Sequence, residues 1–208
     1  MGSYLAAGER SASVPARLAF LLSAVMTPAV TATATLALIV WEFAPGMRGA
    51  AYSGVTMVFG PLFGMALAVA RARHKGLRDL HITERRDRPG FFAACFGAAA
   101  VGCGVLLAAG APRALLVFMA AYGACVGAIA VVTLATKASV HCATMAAFAG
   151  ALLIVWPIYV PVAVVGLGAL MWARLYRKRH TAWQCVLGMV IGAGTVAAAY
   201  AVWCLLKG

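Results

Sequence analysis

Seven long apolar runs separated by short polar islands make up most of the chain: residues 18–43, 50–70, 91–110, 114–136, 140–156, 160–175 and 183–206. A helix that crosses a bilayer needs about 20 predominantly apolar residues, so the pattern predicts an all-α, polytopic transmembrane helix bundle of six to seven apolar segments. The first run is too long for a signal-peptide core and has no convincing cleavage site, which predicts a transmembrane helix there. Ahead of it, residues 1–16 read as a polar N-terminal tail, and 17–208 as one integral-membrane domain. Runs three and four meet at Ala111-Pro112-Arg113, the signature of a tight hairpin. Runs five and six are short and meet at Pro157-Ile158-Tyr159-Val160-Pro161, which predicts tilted spans or a re-entrant hairpin shielded by protein. Pro28 and Pro61 predict kinks or local unwinding. Under every count, the loops at 71–90, 136–141 and 174–182 fall on one membrane face.

Composition narrows the class. With 64% hydrophobic and 11% charged residues and a mean hydropathy of +0.95, the chain lies outside the soluble range. The net charge of +12 has no soluble basic domain to carry it, so nucleic acid is not expected as a partner. Its distribution is informative instead. Arg10 and Arg17, seven cations from Arg71 to Arg88, and Lys137, Arg174, Arg177, Lys178 and Arg179 fall on one face, against Arg48, Arg113 and Lys207 on the other. Retention of positive charge in short cytoplasmic loops then predicts that the polar islands face the cytoplasm, in a bacterial or archaeal plasma membrane. Six cysteines without metal-type spacing read as small packing residues. Gly60-x3-Gly64 and Gly188-x3-Gly192 predict close helix approach.

Two islands carry candidate chemistry. Lys137-Ala138-Ser139-Val140-His141 and Arg174-x5-His180-x3-Gln184 place cations, a hydroxyl and two of four histidines at the ends of apolar runs. Cations and donors gathered around anionic oxygens are what phosphoryl transfer requires. Arg174, Lys137, Ser139 and either Arg85 or Arg88 suit phosphate binding. An imidazole can accept the phosphoryl group and split hydrolysis into two steps, a role for His180. A second can protonate the departing oxygen and then activate water, a role for His141. Each group also has a plainer reading: a positive-inside cluster, an N-cap at Ser139, a first-turn residue at His141, a snorkelling Lys137.

In order and spacing, these islands resemble the type 2 phosphatidic acid phosphatase superfamily, whose motifs are K-x6-R-P, P-S-G-H and S-R-x5-H-x3-D. Arg174, His180 and their spacing match the third motif, with Gln184 where the family has aspartate; Ser139 and His141 match the second without its proline and glycine. Arg88-Pro89 match the end of the first, with His81 in the lysine position, and Arg78-x6-Arg85 offers another register. The resemblance implies a core like that family's and a metal-independent membrane phosphatase without cofactor. Its expected substrate is a lipid-linked phosphomonoester or diphosphate of isoprenoid or glycerolipid type, cleaved through a phosphohistidine on His180. A carboxylate would orient that imidazole and offset its developing charge; Gln184 can only orient it, so Asp79, on the 71–90 loop with Glu84 and Asp87, is the expected substitute. The competing expectation is a non-enzymatic membrane transporter or binder of anionic lipids or phosphate.

Overall fold

A computed structural model describes residues 13–74 and 88–207. Helices account for almost all of them: α1 (Val14–Val25), α2 (Pro28–Phe43), α3 (Met47–Met57), α4 (Phe63–His74), α5 (Arg88–Ala108), α6 (Arg113–Ala135), α7 (Val140–Val155), α8 (Val160–Tyr176) and α9 (Ala182–Lys207). A π-helical turn, Val58–Leu62, joins α3 to α4. The stretches Met47–His74, Arg88–Ala108, Arg113–Ala135, Pro157–Tyr176 and Ala182–Lys207 are long and apolar enough to cross a membrane, and α1 with α2 make a sixth if counted as one span. This all-α bundle is compatible with an integral membrane protein.

Helix starts and stops follow the local chemistry. The run expected as one first helix is two, bent by 44° at Met26-Thr27. Pro28 has no N–H to continue α1 and its ring excludes the preceding helical turn. Thr27 instead caps α2, its hydroxyl accepting from the Val30 amide at 3.3 Å. Pro61 has the corresponding effect in the second run, where Gly60 leaves helical geometry (φ −106°, ψ −114°) inside the π turn. Between α5 and α6, Gly110 takes φ +67°, and its amide and that of Ala111 return to Leu107 and Leu106 at 3.1 and 2.9 Å. That is a Schellman stop, which produces the tight hairpin. α7 and α8 form an antiparallel pair joined by the 3₁₀ turn Pro157–Tyr159.

At 16 residues, or about 24 Å, α7 is short for a lipid-facing span. It is the hub of the bundle, packed by α2, α8 and α9. Gly188 and Gly192 make the closest of these contacts possible: a Cβ on either would collide with the backbone carbonyls of Ser139 and Ala143. Close approach also lets the Ser139 amide donate to the Gln184 carbonyl of α9 at 3.0 Å. On the other side, Thr31 donates to Thr144 at 2.7 Å, which sets the register of α2 against α7. Cys95, Cys125, Cys142 and Cys185 are buried, Cys103 is half-buried and Cys204 exposed, and all six are free thiols.

Candidate functional site

The polar islands converge because helix ends are tied to one another at the same end of the bundle. Arg88, the first residue of α5, is 5% exposed and donates through Nη2 to the Ala138 carbonyl at 3.1 Å. Its guanidinium lies 5.5 Å from the Phe92 ring centroid. This contact holds α5 to the 137–139 loop, and the Ser139–Gln184 backbone bond holds that loop to α9. α8 reaches the same place through a Schellman stop of its own. The amides of Arg179 and Lys178 return to the Arg174 and Leu175 carbonyls at 3.1 and 2.9 Å, with Lys178 at φ +50°. A left-handed turn at a lysine costs about 1–2 kcal/mol. It reverses the chain within three residues and sets His180 beside Arg174.

One cavity of about 480 Å³ joins these groups. Arg88, Lys137, His141, Arg174, Lys178, Arg179 and His180 line it at the polar end. From there it continues between α2, α4, α5, α6 and α7 as an apolar slot. No described carboxylate lines it. Glu42, the one acidic residue among those described, sits near the far end of α2, about 21 Å along the helix from Pro28. Five permanent cations therefore face a common space that no described carboxylate lines.

Arg174 is the most demanding of them. It is 3% exposed, and its Nε and Nη1 atoms meet no hydrogen-bond acceptor among the described residues. A buried guanidinium with unmet donors, lining a cavity, calls for an anion. His180 is held differently. Its Nδ1 lies 3.2 Å from Gln184 Oε1, which also accepts from the Thr181 amide at 3.3 Å. Because that amide can only donate, the Gln184 atom is an acceptor, so Nδ1 carries the proton and Nε2 keeps its lone pair. Burial, then the field of Arg174, push the His180 pKa down from 6.5 to about 4, with Arg88 and Lys137 adding to the depression and the Gln184 bond opposing it. The imidazole is neutral at pH 7.

Gln184 also has a structural task. The Thr181 hydroxyl accepts from the Gln184 amide at 3.3 Å, closing a reciprocal capping box at the start of α9. Ser139, read from sequence as a phosphate ligand or as an N-cap, is held here in the second way. It is fully buried, it does not line the cavity, and its hydroxyl accepts from the Cys142 amide at 3.4 Å as the N-cap of α7. The orphan donors of that helix start claim the oxygen first. Lys178 and Arg179, read from sequence only as topological charges, line the cavity as well. Arg85 and Asp79, with His81, Glu84 and Asp87, lie outside the described residues. No three His, Cys, Asp or Glu side chains converge among the described residues.

Neither family models, curated proteins nor solved structures give a match to this chain.

Proposed function

We propose that this protein is a membrane phosphatase that cleaves a lipid phosphomonoester or diphosphate through a phosphohistidine. One observation carries the reading: a single cavity has two histidines and five cations at its polar end and an apolar slot behind them. A phosphorylated headgroup and a hydrocarbon tail have that division of character. The unmet donors of Arg174 supply hydrogen bonds to phosphate oxygens, while Arg88, Lys137, Lys178 and Arg179 offset the remaining charge. These cations provide the neutralisation that a metal ion provides in other phosphoryl-transfer sites.

The neutral Nε2 of His180 attacks phosphorus with its lone pair. A P–N bond forms as the P–O bond to the lipid breaks. The departing oxygen takes a proton from His141 and leaves as an alcohol, or as a monophosphate when the substrate is a diphosphate. Water then attacks phosphorus, loses its proton to His141, and breaks the P–N bond to release inorganic phosphate. Gln184 keeps Nδ1 protonated and the ring aimed throughout, but its neutral amide does not offset the positive charge of the phosphorylated ring. A carboxylate of the 75–87 segment, Asp79 first, is the proposed source of that compensation. The proposed orientation has the polar mouth on the cytoplasmic side of a bacterial or archaeal plasma membrane, a reading supported by the excess of Lys and Arg at that end of the bundle.

The experiment is phosphate release from a panel of lipid phosphates by purified protein in excess chelator, with vanadate as inhibitor. His180→Ala abolishes turnover, and His141→Ala spares mainly substrates with acidic leaving groups. A second reading, a binder or transporter of anionic lipids, is favoured by the commitment of Ser139 and Gln184 to helix caps. It predicts saturable lipid-phosphate binding with no phosphate released, and wild-type behaviour of His180→Ala.

A further inference from the structure

The apolar slot has a floor. Ile39 and Phe118 line its inner end at 1% and 4% exposure. Behind Phe118 the Phe43 ring is stacked at 5.8 Å, and Trp203 packs on Phe43 at 4.8 Å. Leu115 and Met119, three residues before Phe118 and one after it, are fully buried in the same cluster. Nothing in this aromatic stack is a flexible side chain that a tail could push aside. Above the floor, the small residues Ala32, Gly64, Ala68, Ala121 and Ala147 line the slot alongside larger side chains such as Leu36 and Tyr122.

The depth follows from two independent measurements, one along α2 and α7 and one along α6. The Thr31–Thr144 hydrogen bond levels α2 with α7. His141 lies three residues above that level on α7 and Ile39 eight below it on α2, so histidine and floor are about 16 Å apart at 1.5 Å per residue. On α6, the lining residues Ile129 and Phe118 are eleven positions apart, again about 16 Å. An extended chain advances about 1.2 Å per bond, so this depth holds about 13 bonds.

We infer that Phe118 is the floor of a depth-limited tail slot, and that the protein selects lipid phosphates whose hydrocarbon reaches about 13 bonds beyond the phosphate. The inference rests on the phosphatase reading for the headgroup and adds the length of the tail. Bilayer and slot are equally apolar, so burial alone favours no chain. Discrimination comes from the floor, since overfilling a packed interior is costly and a longer tail has to bend out of the slot.

The test uses single-chain alkyl phosphates of graded length as substrates and the matching alkylphosphonates, which cannot be hydrolysed, as binding probes. Both series are measured with protein in nanodiscs. The wild type is expected to peak in kcat/KM and in phosphonate affinity near about 12–14 carbons, and to fall about tenfold or more by about 20. Phe118→Ala moves both optima to longer chains. Because this truncation also empties part of the core, Ala147→Leu supplies the opposite test: it blocks the slot about 9 Å below His141 and moves both optima to about seven carbons. Optima that stay at the wild-type length in both variants, or a wild type indifferent to length, overturn the floor. Length-dependent phosphonate binding without phosphate release from any substrate supports the floor and overturns the phosphatase reading.

Discussion

Replacing Arg174 by methionine is expected to make the resting protein more stable and to destroy its affinity for phosphate analogues. The guanidinium is 3% exposed, and two of its nitrogens have no acceptor among the described residues. Each buried donor left unmet costs about 1–3 kcal/mol, or about 2–6 kcal/mol for the two. An apolar side chain of similar length recovers part of this, and replacing buried charge by well-packed apolar residues gains about 1–4 kcal/mol. At about 2–4 °C per kcal/mol for a chain of this size, the gain is visible in thermal unfolding in detergent. Binding moves the other way. Two hydrogen bonds from a charged donor are worth about 1.5–3 kcal/mol each, so vanadate should bind roughly 10² to 10⁴ times more weakly. At a vanadate concentration of about 100 Kd the wild type gains about 2.7 kcal/mol of protection, which Arg174→Met should lose. A variant less stable by about 3–5 kcal/mol, the cost of orphaning the partner of a buried pair, would refute the argument. It would show that the guanidinium already has an acceptor in the resting protein and would point to Asp79, Glu84 or Asp87. Vanadate protection equal to wild type would be equally damaging.

The depressed pKa of His180 should appear as an NMR titration of its ring with a midpoint near 4 in the free protein. Because the folded value lies below the ordinary 6.5, the unfolded chain takes up this proton first. The group therefore leaves stability untouched above about pH 6.5 and lowers it as pH falls towards 4. Bound vanadate opposes the fields of Arg174, Arg88 and Lys137 and should raise the midpoint, and a midpoint that stays put would mean the anion binds elsewhere. Gly188→Ala and Gly192→Ala should each separate α9 from α7 and destabilise the bundle by about 1–3 kcal/mol or more, whereas Gly194→Ala, where a Cβ meets nothing within 4 Å, should not; unfolding in denaturant separates the cases. Asp79→Asn should lower turnover more than tenfold, about 1.4 kcal/mol of barrier, with expression intact. Near-full activity of Asp79→Asn, Glu84→Gln and Asp87→Asn would leave orientation by the Gln184 amide as the better account.

Hydropathy made the spans legible almost to the residue, because each lapse in apolar character is also a helix end with its own stop signal. Gly110, and the prolines at 28, 61 and 157, mark those ends by backbone chemistry that needs no tertiary partner. The exception was the first run, where Pro28 announced a kink but the separate cap at Thr27, and so a full break, depended on the competition between a hydroxyl and a missing amide. At the site, spacing found Arg174, His141 and His180, which line one cavity. It left two roles open for Ser139, since an N-cap and a phosphate ligand use the same oxygen and only packing decides which partner arrives. Thr181-x2-Gln184 carries a capping-box pattern that can be read directly from the chain. A shared face for Arg88 and the 136–141 loop was legible, but the Arg88–Ala138 hydrogen bond and the slot behind it were not, because they depend on how α5 and its neighbours pack.

On the proposed phosphatase reading, the shared oxygen of Gln184 decides regiochemistry before any substrate arrives. With Nδ1 held as a donor by an acceptor that Thr181 also engages, only one ring nitrogen can form a bond to phosphorus. A phosphoenzyme formed at His180 is therefore the τ isomer alone. The π isomer would require ring rotation, loss of the Thr181–Gln184 cap and fraying of the first turn of α9. Isomer-selective antibodies against phosphohistidine distinguish the two forms directly, and a mixture of them would mean that the ring turns over freely between cycles.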